Sequence, residues 1–342
     1  MSKLEEEDIR KVAELPYAWD KLKNKTILIS GGTGFIGSFL CEVLRCRNRF
    51  YGQNIKVISL SRHPHESDDT VSYLVRDVCK PIALDGNVDY ILHLASNTHP
   101  AQYKEDPVGT ITSNVLGTYN LLTLAKEKGA ERFALASSCE IYGDCPEHPV
   151  DELYGGYIDC NSARAGYNES KRVSESLCQS FHQQYGLNSV IFRLSRSFGA
   201  DKAKKDTKAM SQFLANASEG KDIVLKSEGK QRYSFLYVAD AVSGILKVVL
   251  EGKDQEAYNI AGDSDGSTLG EYAEYIASLA GTKVIYDIED NPDASKAQNA
   301  LLDNAKLKGI GYKPMYTVKE GLKRTLEILK EGKAHSTEED AA

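Results

Sequence analysis

No stretch of this chain approaches the ~20 consecutive apolar residues that a membrane-spanning helix needs, and Met1-Ser2-Lys3-Leu4-Glu5 lacks the apolar core of a secretory signal. The chain is therefore read as cytoplasmic, with no membrane partner. Positive charge is also short. Lys and Arg number 42 against 49 Asp and Glu, a formal net charge of −7 and a pI near 5.6. That balance offers no basic field to nucleic acid or to an anionic membrane, so an anionic ligand must be gripped locally. The seven cysteines (Cys41, Cys46, Cys79, Cys139, Cys145, Cys160, Cys178) stand at irregular spacing with no Cys-x-x-Cys pair. Reduced thiols are expected, with no disulfide frame and no metal site. Repeats and low-complexity blocks are absent as well.

What is present begins with Ser30 to Ser38, Ser-Gly-Gly-Thr-Gly-Phe-Ile-Gly-Ser. The apolar, β-branched run Thr26 to Ile29 precedes it and a helically spaced segment, Phe39 to Arg47, follows, which predicts strand, glycine turn and helix. Gly31 suits a positive φ, Gly34 lets a pyrophosphate approach the backbone, and Gly37 lets the helix pack on the strand. Phe35 and Ile36 then bring free helix-start N–H groups to the phosphates. The spacing G-x-x-G-x-x-G resembles that of extended short-chain dehydrogenase/reductases.

The runs Ile55 to Leu60, Tyr73 to Arg76, Val88 to Leu94 and Phe133 to Ser138 read as further strands, and Gly109 to Lys128 as a long helix. Strands alternating with helices in this way predict an α/β fold, a doubly wound parallel sheet with ligands at the carboxyl ends of its strands. A smaller C-terminal α/β lobe completes it. The division expected is an N-terminal helical arm over 1–24, a dinucleotide-binding domain over 25–190, a mixed segment over 191–330 and a disordered tail over 331–342. The end of strand two reads Ser59-Leu60-Ser61-Arg62-His63, without the acidic residue that takes both ribose hydroxyls in NAD-specific folds. Arg62 either accepts a 2′-phosphate or is an ordinary surface arginine, so NAD and NADP both stay open. His93 is read as a packed strand residue.

The chemistry is expected at Ser138-Cys139-Glu140 and, further on, at Arg164-Ala165-Gly166-Tyr167-Asn168-Glu169-Ser170-Lys171. Tyr167 and Lys171, four apart on a predicted helix, share a face with Arg164 one turn earlier. An ammonium beside a phenol favours the phenolate and so makes a base usable near neutral pH, with Ser138 hydrogen-bonding the same substrate hydroxyl. The proton would go to Tyr167 while hydride passes to a nicotinamide ring.

With these residues the chain, over about 25 to 330, resembles extended short-chain dehydrogenase/reductases of the nucleotide-sugar epimerase, dehydratase and decarboxylase group. His93-Leu94-Ala95-Ser96, Pro100 with Tyr103, Thr112-x-Asn114, Glu140-x-Tyr142-Gly143-Asp144 and Glu147-His148-Pro149 look like the pattern of UDP-glucuronate decarboxylases. Cys139-Glu140 looks like the pair in UDP-apiose/xylose synthases. The resemblance implies NAD as cofactor, with NADP not excluded, and a nucleotide-diphosphate sugar as substrate. It also implies cofactor contacts at Asp77, Val78, Leu94, Ala95, Ser96 and Asn114, a substrate contact at Tyr103, and a homodimer paired through the helices Gly109 to Lys128 and Ala163 to Tyr185. Ser138 would assist the tyrosine, and Glu140 would act near the sugar ring. Cys139 stands where 4,6-dehydratases carry an acidic aspartate; a thiol is a poor replacement, so dehydration is disfavoured, and Cys139 reads equally as an apolar filler.

Two departures from the family pattern lie further on. Where it has asparagine, this chain has Arg196, and the arginine that grips the diphosphate aligns with Tyr233 in Gly229-Lys230-Gln231-Arg232-Tyr233-Ser234-Phe235. Arg232 points to the opposite face of an extended segment, which suggests that Arg196 supplies the phosphate contact instead. The function implied is oxidation of a ring hydroxyl, at C4, to a transient ketone, followed by decarboxylation. A 4-epimerase or 4-reductase is the alternative reading, and a cofactor-binding scaffold the non-enzymatic one. Beyond the site, the reading puts Asp240 as a helix N-cap, a helix at Thr268-Leu269, and Leu301 to Leu307 with Gly321 to Leu329 closing the lobe.

Overall fold

Strand β1 (Thr26–Ser30) alternates Ile27 and Ile29 to one side with Leu28 to the other, all buried, which is the signature of a strand covered on both faces. It lies inside a seven-stranded parallel sheet in the computed structural model, which describes residues 1–98, 105–162, 165–200, 208–288 and 299–339. The other strands are β2 (Lys56–Ser61), β3 (Val71–Val75), β4 (Tyr90–His93), β5 (Arg132–Ser138), β6 (Ser189–Leu194) and, later in the chain, β10 (Ala257–Ile260). Their order is β10-β6-β5-β4-β1-β2-β3, doubly wound about β1 and β4.

One face of the sheet is covered by α2 (Phe35–Tyr51) and α6 (Val238–Glu251). On the other, Leu28, Ile91, Phe133 and Leu135 meet Leu121, Leu122 and Ala125 of α3 (Pro107–Lys128) and Cys178 and Phe181 of α4 (Ala165–Tyr185). The smaller lobe comprises β7 (Arg196–Phe198) paired with β9 (Phe235–Tyr237), and β8 (Ile223–Leu225) paired with β11 (Val284–Tyr286). Its helices are α5 (Ala209–Ser218), α7 (Leu269–Ala280), the short α8 (Ala305–Gly309) and α9 (Val318–Glu339).

The N-terminal helix α1 (Lys3–Glu14) is capped by Ser2, whose side chain accepts from Glu5 N while Glu5 answers to the Ser2 N–H. It packs on the body through Ile9, Val12 and Ala13. Asp8, on the same face and fully buried, accepts from the Tyr237 hydroxyl at 2.6 Å and pairs with Arg324 of α9 at 2.8 Å.

Several boundaries differ from the sequence reading. Asp240 is not an N-cap: α6 begins at Val238, after Tyr237, and the buried Asp240 carboxylate accepts from Met315 N and Tyr316 N of a distant loop. Burial, with Asp8 and Glu320 nearby, pushes that carboxyl up to about 7 against those two hydrogen bonds. Within Leu301 to Leu307, read as closing the lobe, Leu302 bridges to Val150 and the helix α8 starts at Ala305. The tail expected to be disordered continues as α9 to Glu339. At Thr268 the capping box with Glu271 starts α7 as read.

Candidate active site

The carboxyl ends of β1, β4, β5 and β6 bring the candidate residues to one edge of the sheet. After β1, Gly31 has φ +78°, and a Cβ there would stand 2.8 Å from Ala95 N. A Cβ on Gly37 would stand 2.1 Å from Gly31 O, so helix and turn are closer than any side chain allows. At Gly34, the N-cap of α2, a Cβ would meet only Gly31 O, at 3.3 Å. No side chain caps that helix, and its first turn holds no acid. The N–H groups around Phe35 and Ile36 are thus left for an anion, as a pyrophosphate requires.

At the adenosine end the fit is different. Ser61 ends β2, its Oγ accepting from His63 N at 3.2 Å, and Arg62 is exposed. The strand itself ends Ser59-Leu60-Ser61, without an acidic residue. Beyond β3, Asp77 Oδ1 accepts from Cys79 N at 2.9 Å, and Val78 offers its carbonyl to Asn120 Nδ2 at 2.8 Å. Leu94, Ala95 and Ser96 follow β4, half-buried, with Leu94 N donating to Ser30 O.

Buried Asn114 on α3 joins the two halves of the site. Its Oδ1 accepts from Ser96 Oγ at 2.8 Å and its Nδ2 donates to Ser170 Oγ at 2.9 Å, while Ser170 donates to the Tyr167 carbonyl at 2.8 Å. The expected cofactor contact is therefore also a brace between β4 and α4. On α4 the Lys171 ammonium lies 5.9 Å from the Tyr167 ring centre and donates to Ala136 O of β5 at 2.9 Å. Burial lowers Lys171 to about 8, against the opposing charge of Glu175 one turn on.

Ser138 ends β5 and opens a 3₁₀ turn, Cys139–Tyr142, by accepting from Glu140 N at 3.2 Å. Cys139 is buried, and its thiol is pushed up to about 12 by desolvation and the neighbouring Glu140, so it is neither nucleophile nor acid at neutral pH. It packs with Ile141, Tyr142, Val150 and Leu302, which is the filler role. Glu140 is half-buried and pairs with Arg196 Nη2 at 3.5 Å. The Arg196 guanidinium carbon lies 3.7 Å from the centre of the buried Tyr233 ring. Tyr233 is thus a floor under Arg196. Tyr103 and Arg164 lie outside the described residues.

Two groups behind the site were not singled out from the sequence. Arg193 pairs with Glu175 at 2.7 Å and donates to the buried Tyr142 hydroxyl, which donates to Asn259 Oδ1. Arg172 holds the carbonyls of Ile141, Gly155 and Gly156, fixing the 3₁₀ turn from the helix side. Glu175 stands four residues after Lys171 on the same helical face, and that spacing was the available signal.

Residues 27–261 match the model of the NAD dependent epimerase/dehydratase family. The chain belongs to that family. Among its curated members, UDP-glucuronic acid decarboxylase 5 of Arabidopsis thaliana is 36% identical over 309 residues, covering 87% of this chain and 87% of that protein. UDP-glucuronic acid decarboxylase 1 of Danio rerio is 33% identical over 314 residues, covering 89% of this chain and 72% of that protein. Among solved structures, UDP-glucose 4-epimerase of Thermotoga maritima with UDP-glucose superposes with a TM-score of 0.76 at 21% identity, covering 90% and 99% of the two chains. The dTDP-glucose 4,6-dehydratase of Streptomyces venezuelae with NAD bound also gives 0.76, at 23% identity and 90% and 98% coverage. At these identities the superpositions establish the shared fold.

Proposed function

We propose that this family member uses NAD to act on a nucleotide-diphosphate sugar through a transient 4-keto sugar, and that its reaction is decarboxylation of UDP-glucuronate to a UDP-pentose. The observation that carries the reading is that Lys171 donates to Ala136 O of β5, two residues before Ser138, which ends that strand and opens the turn bearing Glu140. Tyr167, one helical turn before Lys171, faces the same edge. The curated relatives named above support the choice of substrate.

Gly31, Gly34, Phe35, Ile36 and Gly37 would hold the pyrophosphate of the cofactor, Asp77 and Val78 its adenine side, and Leu94, Ala95, Ser96 and Asn114 the stretch toward the sugar. When bound, NAD supplies hydride acceptance and return at the sugar's C4. Tyr167 takes the C4 hydroxyl proton, Lys171 favours its phenolate, and Ser138 hydrogen-bonds the same oxygen. The bond from C5 to its carboxylate then breaks, its electron pair delocalises into the C4 ketone as an enolate, and CO2 leaves. Glu140 supplies or orients the proton that C5 takes up.

Incubation with UDP-glucuronate and NAD is expected to give CO2 and a UDP-pentose, and Tyr167→Phe to slow turnover by roughly 10²- to 10⁴-fold. Neither product from the intact protein overturns the reading, and interconversion of UDP-glucose and UDP-galactose in its stead assigns a 4-epimerase. An unchanged Tyr167→Phe protein removes Tyr167 from the chemistry, and no turnover of any nucleotide sugar by a protein that still binds NAD assigns a scaffold. A homodimer is part of the proposal: Val108, Ile111, Leu116 and Tyr119 of α3 and Val173 of α4 are exposed apolar residues on the two helices expected to pair. Light scattering at micromolar concentration tests it, and a monomeric mass refutes it.

A further inference from the structure

We propose that Arg196 selects the substrate by its carboxylate, gripping the acid group on C5 of the sugar and not the diphosphate. This rests on the decarboxylase reading above and deepens it.

The guanidinium is held flat. It lies 3.7 Å from the centre of the Tyr233 ring, which is itself buried and packed edge-on against Phe235. A stacked guanidinium keeps its plane while its edge donors stay available, so the fork is oriented before a ligand arrives. Its polar contact to Glu140 Oε1, at 3.5 Å, is long, and Arg196 Nε is buried with no hydrogen-bond partner among the described residues. Both side chains keep about a third of their surface open, 33% for Arg196 and 30% for Glu140. A planar cation with donors to spare, on an aromatic floor, matches a carboxylate in shape and charge.

Position decides which anion it meets. A nucleotide uronate offers two, the carboxylate on C5 and the diphosphate on C1, which flank the ring oxygen. C5 is bonded to C4, whereas C1 lies across the ring from C4. Glu140 is tied to Ser138 through its backbone N–H, and Ser138 belongs to the group proposed to act at C4. A cation paired with Glu140 therefore stands at the C4–C5 end. It also separates two like charges, because without it the Glu140 carboxylate would face the substrate carboxylate directly. As CO2 leaves, the carboxylate's charge passes to the C4 oxygen as the enolate, so the contact to the carboxylate is made in the ground state and weakens toward the transition state. It contributes to affinity and discrimination, and little to kcat.

The test is calorimetric binding of UDP, UDP-glucose and UDP-glucuronate to the NAD-loaded Tyr167→Phe protein, in which turnover is too slow to consume the ligand, with Arg196 intact or changed by Arg196→Gln or Arg196→Lys, and steady-state kinetics of the same Arg196 variants with Tyr167 intact. Loss of a charge-assisted contact is expected to weaken UDP-glucuronate roughly ten- to hundredfold in Arg196→Gln. UDP and UDP-glucose, which lack the acid, are expected to change less than about threefold and so report an intact fold. Arg196→Lys recovers part of the loss, and KM moves more than kcat. Equal losses for all three ligands overturn the proposal in favour of a diphosphate contact, and no loss for any overturns it outright. If the wild type evolves no CO2 yet still discriminates UDP-glucuronate through Arg196, the reaction assignment fails and the carboxylate grip stands.

Discussion

The Ser30 hydroxyl lies 2.7 Å from Nδ1 of His93, across the junction of β1 and β4. It also accepts from Ala95 N at 3.2 Å, so one hydroxyl ties the end of β1 both to the last residue of β4 and to the backbone that follows it. Burial, with the Lys171 charge nearby, lowers His93 to about 3. The imidazole is therefore neutral throughout the working range and is a strand-end strut, not an acid. Ser30→Ala leaves His93 Nδ1 and Ala95 N unmatched beside the cofactor turn. The expected cost is about 1–3 kcal/mol of unfolding free energy, read by urea titration, with a parallel loss of NAD affinity. An unchanged midpoint would contradict the assignment.

Lys171 sets a limit on the alkaline side. Its ammonium is present below about 8 and is lost above it. Since the cation is what favours the Tyr167 phenolate, kcat/KM is expected to fall as pH rises through about 8. Lys171→Arg keeps the charge and should remove that limb even where it lowers the maximum; Lys171→Met should abolish turnover. Linkage has its own sign here. The unfolded amine holds its proton to about 10.5 and the folded one only to about 8, so this group makes the native state more stable as pH rises between those values.

At the end of β2 the chain offers Ser61 and Arg62 where an acid would exclude a 2′-phosphate. NAD and NADP are accordingly expected to bind within roughly tenfold of one another, and Ser61→Asp to weaken NADP by more than that through like-charge repulsion. Calorimetry with each nucleotide decides the matter. A wild-type preference for NAD beyond a hundredfold would be incompatible with this account.

Asp8 and Arg324 tie the first helix to the last. Asp8→Ala leaves Arg324 with only Glu7 and the Leu4 carbonyl and takes the shared acceptor from the Tyr237 and Tyr316 hydroxyls, a change expected to cost about 3–5 kcal/mol. Thermal unfolding should move down accordingly, with little change in KM, because none of these groups reaches the site.

The sheet was legible because its signals are local. Ile27 to Ile29 and Phe133 to Ala136 are apolar on both faces, and the glycines between β1 and α2 have a single geometric explanation. The pairing of Tyr167 with Lys171 follows from helical spacing alone. What escaped depends on contacts between distant segments. Asp240 carries the sequence mark of an N-cap, but its carboxylate serves Met315 and Tyr316, some 75 residues on. The stacking of Arg196 on Tyr233 joins residues that no periodicity relates, since β7 and β9 are brought together only by the second lobe. Arg196 and Tyr233 were each visible as departures from the family pattern, and their contact gives the two departures one structure.

The bond between α1 and α9 also sets an order of events during synthesis. Asp8 leaves the ribosome early, whereas Tyr316 and Arg324 follow after some 300 further residues. The first helix can therefore pack on α2 and meet Tyr237 as the body forms, and the Tyr316 and Arg324 contacts to its carboxylate are added last. Its docking works as a latch whose final contacts come late, and a nascent protein stalled before residue 316 would hold that helix without Tyr316 and Arg324.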